Sequence, residues 1–118
     1  MKILIHLTSI TAIAALCVSC CSDRALPVLA PTEGENLATV RSTFGVPARQ
    51  FSSASIDAQT YLHDSVALER FVSATRELPA VDVSIWERRC LGKTRERMVV
   101  LSNPTNGEVL AGETVYEQ

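Results

Sequence analysis

The hydrophobic positions follow three different patterns along the chain, and each pattern predicts a different kind of element. Residues 3–18 form a mostly apolar run without a formal charge. In residues 35–44 and 65–78, apolar positions recur every three or four residues, as they do on one face of a helix. From residue 80 onward they alternate with polar positions, as they do in strands. The chain therefore combines an apolar leader, a helical part and a part built of strands.

A short helix is predicted over residues 35–44. Leu37, Val40 and Phe44 share one of its faces. Gly45 directly follows the last apolar residue and fits a helix C-terminus with a positive φ. The start of this helix has two candidate signals, a capping box of Thr32 with Glu35, or Asn36 as the N-cap.

The next stretch predicts a loop, a strand and a second helix. Residues 48–58 are rich in Ser and Ala and are predicted as a loop, whereas residues 56–63 are predicted as a first strand around Tyr61. Ser65 can cap a second helix, and Pro79 ends it because proline disrupts a helix interior. The apolar face of this helix is formed by Val66, Leu68, Phe71, Val72, Thr75 and Leu78.

Three further strands are predicted over residues 82–90, 95–101 and 108–116, with turn signals at 91–94 and 102–107. Strands joined by such short connections form an antiparallel meander, and the helices must cover it. We therefore predict an α+β fold of two layers, in which two short helices pack on a three- to four-stranded antiparallel sheet. If residues 108–116 form an edge strand, an extended partner segment could pair with it.

The apolar leader has the layout of a secretory signal peptide. Lys2 precedes the apolar run, and a cluster of small residues and cysteines ends it. A run of about 16 residues, interrupted by polar side chains, is short for a membrane span, which needs about 20 apolar residues. The leader therefore predicts export.

The end of the leader, Leu-Cys-Val-Ser-Cys at residues 16–20, resembles the lipobox of bacterial lipoproteins. Ser19 fits the small position before the acylated cysteine, although Cys17 stands where Leu is usual. The resemblance implies that Cys20 is diacylated, becomes the new N-terminus and anchors the protein to a lipid membrane. The alternative is ordinary cleavage near Ser19, which leaves a soluble secreted binding or inhibitor-like module without a lipid anchor.

These interpretations divide the chain into three parts. Residues 1–19 are a lipoprotein-type signal peptide, residues 20–33 a lipidated tether or linker, and residues 34–118 a small α+β domain. Residues 20–118 amount to 99 residues, enough for one small domain. In similar lipoproteins, a second position without Asp implies the outer membrane, and here Cys21 follows Cys20.

Charge and cysteine content narrow the function further. Without Lys2 the chain has 10 basic and 13 acidic residues, a net charge near −3, which argues against nucleic-acid binding. In an oxidising compartment Cys21 and Cys90 can form a disulfide; otherwise Cys90 is a small buried apolar residue. We interpret the basic cluster as a solvated strand face and turn, interrupted by Glu87 and Glu96; it comprises Arg88, Arg89, Lys93, Arg95 and Arg97.

The chemistry-bearing residues do not form an enzyme motif. His63 and Asp64 are neighbours, so on a strand they would point to opposite faces. Cys90 with His63 is a conceivable nucleophile and base, but no local motif supports the pair. We found no metal-ligand spacing and no glycine-rich phosphate loop. The sequence therefore predicts a protein that is not an enzyme, with no catalytic residue, metal ligand or cofactor.

Gly34, Val40, Gly45 and Pro47 have the spacing G-x5-V-x4-G-x-P, which resembles the helical signature of the SmpA/OmlA (BamE-like) family of small outer-membrane lipoproteins. The resemblance implies a structural role for these four residues. It also implies a following strand with aromatic residues, here around Tyr61, and then a hairpin whose turn contains glycine. The chain departs from the family in having Asn36 where Thr is usual and an inserted helix before the meander.

The resemblance also implies a function. Members of the family are outer-membrane lipoproteins, so the expected partners are envelope proteins that take part in outer-membrane assembly. We therefore expect a membrane-tethered periplasmic adaptor or scaffold. The sequence names no particular partner.

Overall fold

The computed structural model describes residues 25–116, which form a four-stranded antiparallel sheet with helices packed against it. The strands are neighbours in chain order, from β1 at one edge to β4 at the other. The predicted α+β class with an antiparallel sheet is confirmed. The elements are α1 (Leu37–Phe44), β1 (Arg49–Ala54), α2 (Ser55–Ala58), a 3₁₀ turn (Gln59–Tyr61), α3 (Ser65–Ala74), β2 (Ala80–Cys90), β3 (Lys93–Ser102) and β4 (Val109–Tyr116).

Helices contact both faces of the sheet: α2, the 3₁₀ turn and α3 lie on the first face, and α1 lies on the second. On the first face, Val83, Ile85 and Leu101 pack with the fully buried Phe71 of α3. On the second face, Trp86 and its neighbours pack with α1 and with Leu26; this cluster comprises Leu26, Leu37, Val40, Trp86, Met98, Val100 and Val109. The alternation of apolar residues along β2 and β3 supplies both cores, because successive side chains point to opposite faces.

The first strand is not at residues 56–63, and that prediction is wrong. The residues around Tyr61 are helical, and the strand is β1, inside the stretch predicted as a loop. The Ser55 N–H donates to the Pro79 carbonyl oxygen at 2.9 Å, and the Ser55 hydroxyl donates to the Leu78 carbonyl oxygen. These bonds fix the chain where it turns from β1 into α2.

Local hydrogen bonds set the ends of the two longer helices. Asn36 is the N-cap of α1, and its Oδ1 accepts from the Ala38 N–H at 2.8 Å. Asp64, not Ser65, caps α3 and accepts from the Ala67 N–H at 2.9 Å. Helix α3 ends at Ala74, before residue 78, and the hydroxyl of Thr75 donates to the Phe71 carbonyl oxygen at 2.8 Å, a bond from a side chain to the backbone of the preceding turn.

Residues 25–33, part of the predicted tether, pack against the domain. Leu26 is buried, and its N–H donates to the Glu96 carboxylate at 3.0 Å. Pro31 crosses β4 so closely that a Cβ at Gly112 would overlap the Pro31 carbonyl oxygen, which explains glycine at that position. The chain then pairs with the start of β4, because the Gly34 N–H donates to the Val109 carbonyl oxygen at 3.1 Å. This segment is therefore part of the folded unit.

Candidate functional site

The most highly charged surface is the outer part of the β2–β3 hairpin, residues 87–97, which we call the basic hairpin. It contains five basic and two acidic side chains, a net charge of +3, although the whole chain carries −2. Cys90 lies opposite Lys93, so a two-residue turn of Leu91 and Gly92 joins the strands. The long β2–β3 pairing thus carries a basic loop away from the two cores.

One side of the basic hairpin forms an open groove of about 630 Å³. Arg49 reaches this groove from β1, where it lies opposite Ile85 of β2. The Glu87 carboxylate lies between two guanidinium groups, 3.7 Å from Arg89 Nε and 3.9 Å from Arg97 Nε. One carboxylate therefore faces three arginines, and the groove keeps a positive charge.

The opposite side of the hairpin holds a tighter pair. Arg88 Nη1 lies 3.1 Å from Glu96 Oε1, and the other oxygen of the same carboxylate accepts the Leu26 N–H. Glu96 thus joins the strand pair to the segment that enters the domain. Because these groups are partly buried, this side is a structural contact rather than an open binding surface.

The apex of the hairpin exposes an apolar side chain on an unusual backbone. Leu91 is 72% exposed and has φ of 55°, and Gly92 has φ of 77°. Two-residue turns of this kind favour Asn-Gly, and a leucine with positive φ costs about 1 kcal/mol. Leu91 is the only residue other than glycine with positive φ among residues 25–116. The apex therefore keeps an exposed leucine at a conformational cost.

Cys90 is disulfide-bonded, so the alternative of a free buried thiol does not hold. The predicted lipidation site Cys20 and its neighbour Cys21 lie outside the described residues, as does the signal peptide. The pairing of Cys90 with Cys21 stays a prediction.

Each of the four family-motif residues has a structural position in this fold. Gly34 and Gly45 have φ of 93° and 81°, values that favour glycine. The Gly45 N–H donates to the Arg41 carbonyl oxygen at 2.7 Å and closes α1. Val40 is buried in the second face, and Pro47 is buried between α1 and β1.

His63 and Cys90 are not brought together. The His63 N–H donates to Glu113, which lies opposite Val99 in the sheet, whereas Cys90 lies opposite Lys93. Val99 and Lys93 are six positions apart on β3, a distance of about 20 Å, so His63 and Cys90 lie in different parts of the sheet.

Within residues 25–116, no group of three or more His, Cys, Asp or Glu side chains could hold a metal ion. No helix in the same range is long and apolar enough to cross a membrane.

The two edges of the sheet differ in their exposure. The start of β4 is covered, because the Val109 N–H donates to the Glu35 carbonyl oxygen at 2.8 Å. Strand β1 pairs only with β2 in the described part of the chain, and five of its six residues are exposed. Strand β1 is therefore the edge with more exposed residues, although the sequence predicts a loop there, and β4 is the other edge of the sheet. No pattern signalled β1, because its side chains are exposed in both directions.

Comparison with known proteins does not assign the chain to a family. No protein-family model matches the chain, no curated protein matches it, and no solved structure matches the fold.

Proposed function

We propose that this protein is a lipoprotein of the bacterial cell envelope, anchored to a lipid membrane through acylated Cys20. Its small α+β domain acts in the periplasm as an adaptor or scaffold. The resemblance to the SmpA/OmlA family directs the proposal toward the outer membrane and toward partners in outer-membrane assembly. The adaptor works by localisation, because an anchor confines the domain to one surface and raises its effective concentration there.

The observation that carries the proposal is the pattern at the start of the chain. A basic residue, an uncharged apolar run and a small residue directly before Cys20 occur in the order that a lipoprotein signal requires. Two or three acyl chains anchor a protein stably, whereas one binds only marginally.

The domain supports an adaptor role through its edge strand β1. Strand β1 exposes its backbone, and it contains no proline and a single charged residue, Arg49. Natural proteins protect edge strands with charges, prolines or bulges, and β1 has little of this protection. An extended segment of a partner protein can extend the sheet at β1.

The intact mass of the mature protein tests the anchor. We expect protein extracted from bacterial membranes with detergent to have the mass of residues 20–118 plus two or three acyl chains. A Cys20→Ser variant should lose this mass and its membrane association, and Cys21→Ser, the matched control, should keep both. An unmodified protein in the soluble periplasm would favour the secreted binding or inhibitor-like module instead.

Site-specific photocrosslinking in cells tests the edge strand β1. A photoreactive amino acid at Gln50 on β1 should capture an envelope protein, and the same group at the exposed Ser73 on α3 should not. Equal capture at both positions, or capture at Ser73 alone, contradicts binding at β1.

A further inference from the structure

We propose that the basic hairpin docks on the anionic lipid headgroups of the membrane that holds Cys20, and that a Cys21–Cys90 disulfide keeps it there. This inference rests on the proposed acylation of Cys20. It adds an orientation, with the hairpin apex toward the membrane and the opposite end of the sheet toward the periplasm.

The cysteine chemistry selects the disulfide partner. Cys90 is disulfide-bonded and is the only cysteine among residues 25–116. Cys17 leaves with the signal peptide, and the sulfur of Cys20 cannot form a disulfide once it carries a thioether. Cys21 is therefore the remaining partner. Bond formation removes two protons and two electrons from the thiols, and a protein disulfide of the oxidising envelope accepts them.

The position of Leu26 leaves enough chain for Cys21 to reach Cys90. The Leu26 N–H is bonded to Glu96, and Glu96 lies opposite Arg88. Arg88 is two residues from Cys90, about 7 Å along the strand. The five residue steps between Cys21 and Leu26 can span up to about 17 Å. That length is enough for the disulfide to form while Leu26 keeps its bond to Glu96.

This bond would hold the hairpin at the membrane surface. The Cα atoms of a disulfide lie about 6 Å apart, and those of adjacent residues about 3.8 Å. The Cα atom of Cys90 then lies within about 10 Å of the Cα atom of the acylated residue, by the sum of those two distances. The basic hairpin cannot leave the headgroup region while the anchor stays inserted.

The chemistry of the hairpin fits that position. Its net charge of +3 complements anionic headgroups, whereas the rest of the mature chain, at −6, is repelled by them. An acyl anchor combined with a basic patch is a known two-signal arrangement for membrane binding. Leu91 at the apex is exposed and apolar, although Asn would adopt the positive φ of this position at a lower conformational cost. Contact with the lipid explains why an apolar side chain occupies this position.

Tryptophan fluorescence in vesicles tests the orientation. The lipidated full mature chain is placed in vesicles of phosphatidylethanolamine and phosphatidylglycerol, with or without brominated acyl chains that quench tryptophan on contact. Leu91→Trp reports on the apex, and Ile56→Trp is the matched control. The two side chains are equally exposed, at 72% and 74%. Ile56 lies beyond Ala54, which pairs with Ala80 at the far end of β2. The unsubstituted chain gives the background of the buried Trp86.

We expect the emission of Leu91→Trp to shift to shorter wavelength and to be lost in brominated vesicles, with Ile56→Trp unchanged. If both variants stay bound to vesicles and neither is quenched, or both are quenched equally, the docking of the hairpin is wrong and the lipid anchor still stands. If neither variant binds vesicles and the mass shows no acyl chain, the proposed lipoprotein function is overturned as well.

Two further measurements test the role of the basic side chains and the pairing of the disulfide separately. In the Leu91→Trp background, Lys93→Gln with Arg95→Gln should reduce the quenching, whereas Arg70→Gln with Arg76→Gln, which removes the same charge from the region of α3, should not. An equal reduction in both contradicts headgroup recognition by the hairpin. Peptide mapping without reduction should give a Cys21–Cys90 crosslink; a Cys20–Cys90 crosslink would overturn both the proposed disulfide and the acylation of Cys20.

Discussion

The two faces of the sheet are covered in different ways. The first face meets α2, the 3₁₀ turn and α3, and its buried core is apolar, with Phe71 at 0% exposure. Among the described residues, the second face meets only the eight-residue α1 and the irregular segment that contains Leu26. The second face also buries Ser84 and Ser102, whose hydroxyl groups have no hydrogen-bond partner within residues 25–116.

The difference shows how a small domain can keep a helix and a segment of irregular chain packed on its sheet when they bury little apolar area. On the second face, single polar contacts fix the cover in place. Trp86 Nε1–H donates to the Gly45 carbonyl oxygen at 3.0 Å at the end of α1, and Glu96 holds Leu26. The first face therefore depends mainly on hydrophobic burial, and the second face depends on a few specific bonds.

The largest expected effect comes from removing the central side chain of the first face. Phe71→Ala leaves a cavity under α3 and should lower the free energy of unfolding by about 3–5 kcal/mol. Leu37→Ala, the corresponding change on the second face, should cost about 2–3 kcal/mol because Leu37 lies at the start of a short helix. Urea unfolding of both variants in a soluble Cys20→Ser background measures the difference. An equal or larger loss for Leu37→Ala contradicts the proposed ranking of the two faces.

The next effect concerns the bond that holds α1 on the second face. Trp86→Phe keeps an aromatic ring but leaves the Gly45 carbonyl oxygen without this donor, and should cost about 1–2 kcal/mol. Met98→Leu changes the neighbouring side chain at nearly constant volume and should cost less than about 1.5 kcal/mol. Urea unfolding followed by circular dichroism gives both values. If Trp86→Phe has no effect, the indole N–H does not hold the cover of the second face.

The sequence predicts three of the four strands better than it predicts the edge strand β1. Strands β2, β3 and β4 follow from alternating apolar residues, and α1 follows from its spacing and from Gly45. Strand β1 does not, because its conformation comes from pairing with β2, a contact between residues 26 to 36 positions apart. The residues around Tyr61 have the composition of a strand but form the 3₁₀ turn. There the Tyr61 ring packs beside the ring of Phe51 on β1, with ring centroids 6.1 Å apart.

The candidate site is predictable only in part. The charges of the basic hairpin are visible in the sequence, and so is the ability of Cys90 to form a disulfide. The contribution of Arg49 is not visible, because it depends on the register that places Arg49 opposite Ile85. The packing of Leu26 against the hairpin depends on one bond to Glu96 across 70 residues. Such contacts between distant positions leave no periodic pattern.

A smaller effect is expected where β4 holds the start of α3 on the first face. The Glu113 carboxylate accepts the N–H groups of His63 and Asp64 at 2.9 Å and 2.6 Å. Glu113→Gln removes the charge from these bonds and should cost about 1 kcal/mol. Glu108→Gln, at an exposed position of the same hairpin, should change the free energy of unfolding by less than about 0.5 kcal/mol. Equal effects of the two substitutions would show that Glu113 does not secure α3.

The smallest effect gives the sharpest contrast between hydroxyl groups, because the same substitution should have opposite signs at two buried serines. Ser84→Ala on the second face removes a fully buried hydroxyl that has no partner in the described part of the chain, so it should be neutral or stabilise the fold by up to about 1 kcal/mol. Ser55→Ala removes a buried hydroxyl that donates to the Leu78 carbonyl oxygen and should destabilise by about 1 kcal/mol. Thermal unfolding of both variants with the parent chain measures the two shifts. A clear destabilisation by Ser84→Ala would mean that its hydroxyl has a partner, such as a buried water, and that the second face is better satisfied than its protein contacts indicate.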